Sequence, residues 1–285
     1  SGPPMTEYVI RPFETMEQFR ECVALQEATW GHGFSERVSP AILKIGQILG
    51  GVSSGAYDAD NRLVAFVFGL TGLRDDEVVH WSDMLAVRPE VRDGGLGRRL
   101  KAYQRDQVLA LGIEKMFWTF DPLQSRNAHL NITRLGAVVR EYRVDMYGQT
   151  DSPLHRGIGT DRFVPLWQLS TERVEGRIAD DPAHEFNPSA IDRTSVGVAL
   201  AASDARDGHA HPEAVDLTLG DAWVSVAIPA DISTLMAQDL ELAQAWRAAT
   251  REALEHYMGL GYEVREFMRG QPASTYLLAR VREDT

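Results

Sequence analysis

Apolar residues follow two different spacings along the first half of the chain. Spacings of three and four predict amphipathic helices, whereas alternating or continuous short apolar runs predict strands, with glycine or proline at most of their ends. The predicted order is strand 8–12, helix 14–28, helix 41–49, strands 52–57, 63–70 and 77–87, helix 97–110, strand 115–120, helix 125–134 and strand 137–147. Antiparallel strands followed by strand–helix–strand units predict an α/β domain with a central mixed β-sheet flanked by helices.

The second half of the chain has a less regular pattern. Turn residues dominate between residues 149 and 211, where 163–169 alone is strand-like. Regular spacing then predicts strands 215–217 and 223–228, one long helix 235–258, and strands 262–267 and 275–281. We therefore divide the chain into a first domain (5–148), a connector (149–212) and a smaller C-terminal α/β lobe (213–285).

Residues 82–100 pass from a strand through a glycine-rich basic loop into a helix. Gly95 and Gly97 have no side chain to block a phosphate, so backbone N–H groups at the positive end of the helix can point at it. The loop lacks the Gly-Lys-Ser/Thr of a Walker loop and the third glycine of a dinucleotide fingerprint. The sequence thus predicts an anion site of another kind, with an ordinary strand-to-helix turn as the alternative.

Arg92, Gly95 and Gly97 form the pattern Arg-x-x-Gly-x-Gly after a strand that ends Leu-Ala-Val-x-Pro. This pattern resembles the coenzyme A loop of the GNAT acyltransferase superfamily, and the element order over residues 8–148 is similar to the GNAT fold. The resemblance implies a cofactor site whose strand and loop residues bind pantetheine and pyrophosphate and whose later helix adds one polar contact. These residues are Leu85, Ala86, Val87, Arg92, Asp93, Gly94, Gly95, Leu96, Gly97, Arg98, Arg99 and Asn127.

The C-terminal lobe shares one detail with such domains. Residues 256–262 read His-Tyr-Met-Gly-Leu-Gly-Tyr, similar to the Tyr-x-x-x-Gly-aromatic helix end that GNAT domains carry near the thiol exit. The lobe has no Arg-x-x-Gly-x-Gly loop. We interpret it as a degenerate second GNAT-like lobe.

Acetyl transfer to an amine needs a group that removes a proton from the amine. Asp83 is the candidate base, because it interrupts the apolar positions Trp81, Leu85 and Val87 on one predicted strand face and must find a partner or a cleft there. His80 and Glu77 precede it on the same strand. The alternative for Asp83 is a structural acid that pairs with a loop or an arginine.

The leaving thiolate can take a proton from an acid. GNAT domains usually place a tyrosine four residues before the glycine that ends the later helix, and this chain has Ile132 there. His129 and Asn131 on the same helix are candidate substitutes, and Tyr257 of the C-terminal lobe is another. The departure leaves the identity of the acid open.

Net charge, apolar runs and the cysteine count exclude some classes of function and favour one cellular compartment. The net charge of −12 argues against a nucleic-acid binder, and no apolar run is long enough to span a membrane. One cysteine, Cys22, and no export signal after Met5 predict a cytoplasmic protein without disulfides. His209 and His211 lie in a predicted loop, so we expect no metal site.

These observations predict an acyl-CoA-dependent N-acetyltransferase that uses acetyl-CoA as co-substrate and acetylates an amine of a small molecule. A non-catalytic acyl-CoA-binding or sensing module is one alternative, and an acyl-CoA decarboxylase-like GNAT protein is another. A homodimer is a candidate oligomeric state that the sequence leaves open.

Overall fold

The computed structural model describes residues 8–92, 94–148, 157–187, 191, 195–203 and 208–281. The chain forms two compact units. Unit 1 comprises Ser1–Trp118 and Gln168–Ser170, and unit 2 comprises Thr119–Trp167 and Thr171–Thr285. This division differs from the boundaries at residues 148 and 212 that the sequence suggests, because strands from both sides of residue 148 pair within unit 2.

Unit 1 contains five strands and three α-helices among its described residues. In chain order they are β1 (Val9–Pro12), α1 (Met16–Trp30), α2 (Pro40–Ile48), β2 (Val52–Tyr57), β3 (Leu63–Arg74), β4 (Glu77–Val87), α3 (Leu96–Leu109) and β5 (Lys115–Phe117). Thr15 caps α1 with a capping box, and Ser39 with Pro40 begins α2. The predicted elements of this region are therefore confirmed, with small shifts of their ends.

The strands of unit 1 form a sheet in the order β1-β2-β3-β4-β5. The first four are antiparallel neighbours, whereas β5 runs parallel to β4, so the sheet is mixed as predicted. One face carries an apolar core with α1 and α2. This core consists of Phe13, Phe19, Cys22, Leu25, Leu43, Tyr57, Leu63, Phe66, Phe68, Met84 and Ala86.

Unit 2 contains the remaining elements. In chain order they are α4 (Ser125–Ala128), a π-helical turn (His129–Arg134), β6 (Val138–Arg143), β7 (Arg162–Gln168), α5 (Glu172–Ile178), β8 (Val196–Leu200), β9 (Ala202–Ser203), β10 (His211–Pro212), β11 (Trp223–Pro229), α6 (Ile232–Gln238), α7 (Leu240–Gly259), β12 (Tyr262–Met268) and β13 (Ala273–Arg280). Six of its strands pair in the order β7-β6-β12-β13-β11-β8, and β9 pairs with β10.

Three predictions for the second half were wrong. The helix expected over 235–258 is two helices, because Asp239 adopts an extended conformation and its carboxylate caps α7 by accepting from the Leu242 N–H (2.9 Å). Residues 215–217 form no strand. The predicted connector contains α5 as well as strands, where charged residues obscured the helical pattern.

Unit 2 repeats one topology. Phe120 pairs with Phe163 of β7, and β7 pairs with β6, after an intervening helical segment. Likewise β11 pairs with β13, and β13 pairs with β12, after α6 and α7. In both cases the last strand of the segment inserts beside the first. The interpretation of the C-terminal part as a second GNAT-like lobe stays a prediction.

Candidate functional site

A β-bulge interrupts β4 at Asp83. Met84 pairs with Phe68 and Ser82 pairs with Gly69, which leaves Asp83 as an extra residue without an opposing partner on β3. A bulge bends the strand and re-aims the extra side chain, and it releases backbone groups from the ladder. The bulge lies in the same strand as the residues predicted to align pantetheine.

The bulge also changes which side chains share a face of β4. Ser82 contacts α3, and Leu85 and Val87 lie below the α3 residue Gly97, whereas Met84 and Ala86 belong to the core with α1 and α2. The β4 side chains that face α3 in this stretch are therefore those of residues 82, 85 and 87. The expectation that Trp81, Asp83, Leu85 and Val87 share one face was wrong, because the extra residue shifts the alternation.

Beyond Trp81, β4 loses its parallel neighbour. The β4–β5 register comprises His80 with Met116 and Trp81 with Phe117, and β5 ends at Phe117. In the part of unit 1 that the structure describes, the β4 edge over Ser82–Val87 thus has no strand partner on the β5 side. Such an edge can pair with an extended ligand. We call the space beside it the β4–β5 opening.

The loop after β4 ends at a helix N-terminus whose cap residue is a glycine. Gly95 adopts the left-handed conformation (φ +73°) and has no side chain that could cap α3. A Cβ added at Gly95 would meet none of the described residues within 4 Å. An added Cβ at Gly97 would meet only Leu85 and Val87 at ordinary contact distance (3.7 and 3.9 Å). A helix N-terminus of this kind has backbone N–H groups that suit a bound anion.

The loop arginines have different surroundings. Arg92 is exposed, and its Nε donates to the Val87 carbonyl (3.1 Å), while Arg99 is exposed and donates to the Tyr8 carbonyl (2.9 Å). Arg98 is half-buried. Leu96 is buried, so its contribution to a ligand site would come from its backbone, and Asp93 lies outside the described residues.

The Asp83 side chain is exposed to solvent, although neighbouring residues surround part of it. Burial raises the pKa of its carboxyl, and the nearby Glu36 carboxylate raises it further. A raised pKa brings a carboxyl closer to the operating range of a general base at neutral pH. His80 is instead buried, with both ring nitrogens hydrogen bonded, and burial lowers its pKa to about 3.

The other predicted site residues lie in unit 2. Asn127 is exposed on α4, and His129 begins the π-helical turn, where burial lowers its pKa and Arg269 and Arg134 lower it further. Among the described residues, no hydrogen-bond partner of the buried His129 Nδ1 is found. Ile132 is fully buried in the unit 2 core.

Tyr257 is also fully buried in unit 2. Its hydroxyl donates to the Asp216 carbonyl (2.5 Å) and accepts from the Leu219 N–H (3.3 Å). Burial raises its pKa. A hydroxyl with these two hydrogen bonds holds the loop that contains Asp216 and Leu219 in place.

Sequence reasoning missed a buried polar cluster on the α3 face of β4, which we call the Lys101 network. It comprises Thr71, His80, Ser82, Lys101 and Gln104. The available signal was the polar pair His80 and Ser82, which alternate on a buried strand, together with polar residues three apart on α3.

No cluster of three or more His, Cys, Asp or Glu side chains among the described residues could hold a metal ion. No helix among them has the length and apolar character needed to cross a membrane.

No family model and no curated protein matches this chain. Solved structures do. A putative acetyltransferase from Acinetobacter baylyi superposes with a TM-score of 0.50 at 12% identity, covering 59% of this chain and 96% of its own. The chain has the GNAT fold.

Two further matches to this GNAT fold have lower scores. The ribosomal-protein-S18-alanine N-acetyltransferase from Escherichia coli is 18% identical, with a TM-score of 0.45 over 58% of this chain and 96% of its own. A putative acetyltransferase from Salmonella typhimurium, solved with its cofactor acetyl-CoA, is 16% identical, with a TM-score of 0.46 over 58% and 95%. At these identities the likeness concerns the fold.

Proposed function

We propose that this protein is an acyl-CoA-dependent N-acyltransferase that transfers an acetyl group from acetyl-CoA to an amine of a small molecule. One observation carries the proposal: a helix N-terminus whose cap residue is Gly95 adjoins a strand that, among the described residues, has no partner strand on one side from Ser82 to Val87. The first feature suits the phosphates of coenzyme A, and the second suits the amide-bearing pantetheine arm. The GNAT fold favours acyl transfer from coenzyme A by analogy with other proteins of this fold.

The residues present fit this ligand. The backbone N–H groups of the first turn of α3, with Arg92 and Arg98 nearby, would hold the pyrophosphate. Leu85, Ala86 and Val87 would offer backbone groups to pantetheine. A backbone N–H released by the bulge at Asp83 would stabilise negative charge on a thioester carbonyl oxygen, as oxyanion-hole donors do.

Asp83 would act as the general base. Its carboxylate would accept a proton from the acceptor amine as the nitrogen attacks the thioester carbon. Because its pKa is raised, we expect the rate to increase with pH as this carboxyl loses its proton. The negative overall charge of the chain suits a cationic amine as acceptor.

A second candidate function is a non-catalytic acyl-CoA-binding module. The observation in its favour is Ile132, a buried apolar residue at the position where the GNAT resemblance leads one to expect a tyrosine. Such a module would bind acyl-CoA without turnover.

Thiol release from acetyl-CoA, measured against a panel of small amines, separates the two candidates. We expect turnover, and we expect Asp83→Asn to lower it about 10²- to 10⁴-fold without weakening coenzyme A binding. Asp75→Asn is the matched control, because Asp75 lies in the exposed turn between β3 and β4. Coenzyme A binding without turnover for any amine would favour the binding module. Equal rates for the two variants would exclude Asp83 as the base.

A further inference from the structure

The Lys101 network lies at the closed end of the β4–β5 opening. Trp81 and Phe117 are the last paired residues of the two strands, and Ser82 and Trp118 follow them directly. The Lys101 Nζ donates to the Ser82 hydroxyl (2.7 Å) and lies 4.0 Å from the centroid of the Trp118 ring. The ammonium group of Lys101 therefore contacts one residue of β4 and the residue that follows β5, next to the point where the two strands separate.

The same helix provides the anion site and this amine. Lys101 follows Leu96, the first residue of α3, by five positions, which corresponds to about 7.5 Å along the helix axis. A ligand that starts at the N-terminus of α3 and follows the free edge of β4 towards Ser82 thus runs towards Lys101. The reacting end of such a ligand would be its sulfur.

The hydrogen bonds of the network run in one direction. Lys101 donates to Ser82, and the Ser82 hydroxyl donates to the Gln104 Oε1 (2.9 Å). The Gln104 Nε2 then donates to the His80 Nε2 (2.9 Å), which leaves the His80 Nδ1–H to donate to Thr71 (3.2 Å). Thr71 finally donates to the Gly50 carbonyl (2.8 Å).

Every partner of Lys101 in this network is uncharged. Lys101 is 5% exposed, and among the described residues it forms no ion pair with an acidic side chain. Burial lowers the pKa of its amine to about 7. His80 is the titratable group that faces it from β4, and it stays neutral because burial, and then the Lys101 charge, lowers its pKa to about 3. Lys101 can therefore gain and lose a proton near neutral pH.

We propose that Lys101 is the proton donor to the thiolate that leaves in acyl transfer. This inference rests on the function proposed above. The amine nitrogen forms its bond to the acyl carbon, the carbon–sulfur bond breaks, and its electron pair stays on sulfur. One proton moves from the Lys101 ammonium to that sulfur. The proton lost by the acceptor amine passes to Asp83 and to solvent, and solvent reprotonates Lys101.

The energetics favour this direction of transfer. A free thiol has a pKa of about 8.5, so a thiolate takes a proton readily from an ammonium group whose pKa is lower. An ordinary lysine, with a pKa of about 10.4, would be a poorer donor. The role also provides an acid for a chain in which Ile132 cannot supply one.

The test measures the ionisation of the coenzyme A thiol on the protein. The rate at which iodoacetamide alkylates bound coenzyme A is followed from pH 5 to pH 10, with binding checked by calorimetry. An ammonium group close to sulfur favours the thiolate, so we expect the midpoint of alkylation by wild-type protein to lie up to about one pH unit below that of Lys101→Met, which keeps the pKa of the thiol above that of Lys101. Lys44→Met is the matched control, because Lys44 is exposed on α2, and it should behave like wild type.

The outcomes distinguish the two proposals. Equal midpoints for wild type and Lys101→Met, with coenzyme A bound to both, would overturn the role of Lys101 and leave the proposed function standing. Failure of the wild type to bind coenzyme A would overturn both. If Lys101→Met does not fold, the comparison of bound with free coenzyme A decides: a bound midpoint at or above the free one contradicts the inference.

Discussion

The two units bury positive charge in different ways. In unit 2, Arg247 is 4% exposed and donates to the Asp121 carboxylate (2.6 Å) and the Ile158 carbonyl (3.0 Å). Arg177, 6% exposed, lies 3.2 Å from the Glu266 carboxylate. In unit 1, Lys101 is buried to a similar degree against neutral partners. The arginines are compensated as structural ion pairs, whereas Lys101 is not.

This difference separates buried charges that stabilise the fold from a buried charge that suits a chemical role. A buried ion pair loses much of its stabilising value to desolvation, but the loss of one partner leaves the other charge buried and unpaired. A buried lysine without a carboxylate relieves the cost of burial by losing its proton. Lys101 therefore weakens the folded state below its pKa, which is characteristic of functional sites.

The largest effect expected from this comparison is in unit 2. Arg247→Met would leave the Asp121 carboxylate buried with its main cation removed, so we expect the free energy of unfolding to fall by about 3–5 kcal/mol. Urea denaturation measures this change. The control is Arg20→Met, because Arg20 is exposed on α1. A loss below about 1 kcal/mol would show that the Arg247–Asp121 pair is not compensated in the way we describe.

A smaller effect on stability is expected at Gly69, which packs against two residues of the Lys101 network. An alanine Cβ at Gly69 would lie 2.2 Å from the His80 Nε2 and 2.7 Å from the Gln104 Nε2. Gly69→Ala should therefore lower the free energy of unfolding by about 1–3 kcal/mol. Gly72→Ala, on the same strand with nothing within 4 Å of an added Cβ, should change it little. Equal stabilities of the two variants in thermal and urea unfolding would contradict the packing described for the network.

The smallest effect is expected for substitution of Lys101 at high pH, where its amine is neutral in the folded and the unfolded chain. Since the pKa of Lys101 is lowered to about 7, the unfolded chain binds more protons than the folded one between pH 7 and its ordinary pKa of 10.5. The stability of the wild type should therefore rise with pH in that range, by up to about 1.4 kcal/mol per pH unit.

Lys101→Met should lack this rise and should differ from wild type by less than about 1 kcal/mol above the range, where the amine is neutral. Unfolding by urea at several pH values provides the measurement. The same pH dependence in the variant would show that another group causes it.

Local sequence signals predicted the strands and helices of unit 1 and the glycine turn at the start of α3. Ser39 and Pro40 indicate the start of α2, and the glycines at 95 and 97 indicate the turn into α3. The bulge at Asp83 was not predictable in this way, since the alternation of apolar residues continues across it and only the register with β3 reveals the extra residue.

The sequence also could not show which residues meet across the fold. Ser82 and Lys101 are 19 residues apart, and Gln104 lies 24 residues from His80, so their hydrogen bonds depend on how α3 packs on β4. The only sequence signal for the break between α6 and α7 was Asp239, a residue type that favours the N-cap position. A single aspartate within a long helical pattern was not enough to predict that break. Short-range patterns thus predict elements, whereas the site depends on contacts between them.

Coenzyme A binding to wild type and to two glycine variants tests the central claim most directly. Gly97→Glu places a carboxylate in the first turn of α3, where it suits the helix dipole but occupies the anion site, and Gly72→Glu adds the same charge at an exposed position on β3. In calorimetry we expect the wild type and Gly72→Glu to bind coenzyme A, and Gly97→Glu to bind it at least about tenfold more weakly. Equal affinity of all three proteins, or no binding by folded wild-type protein at near-millimolar coenzyme A, would contradict the account.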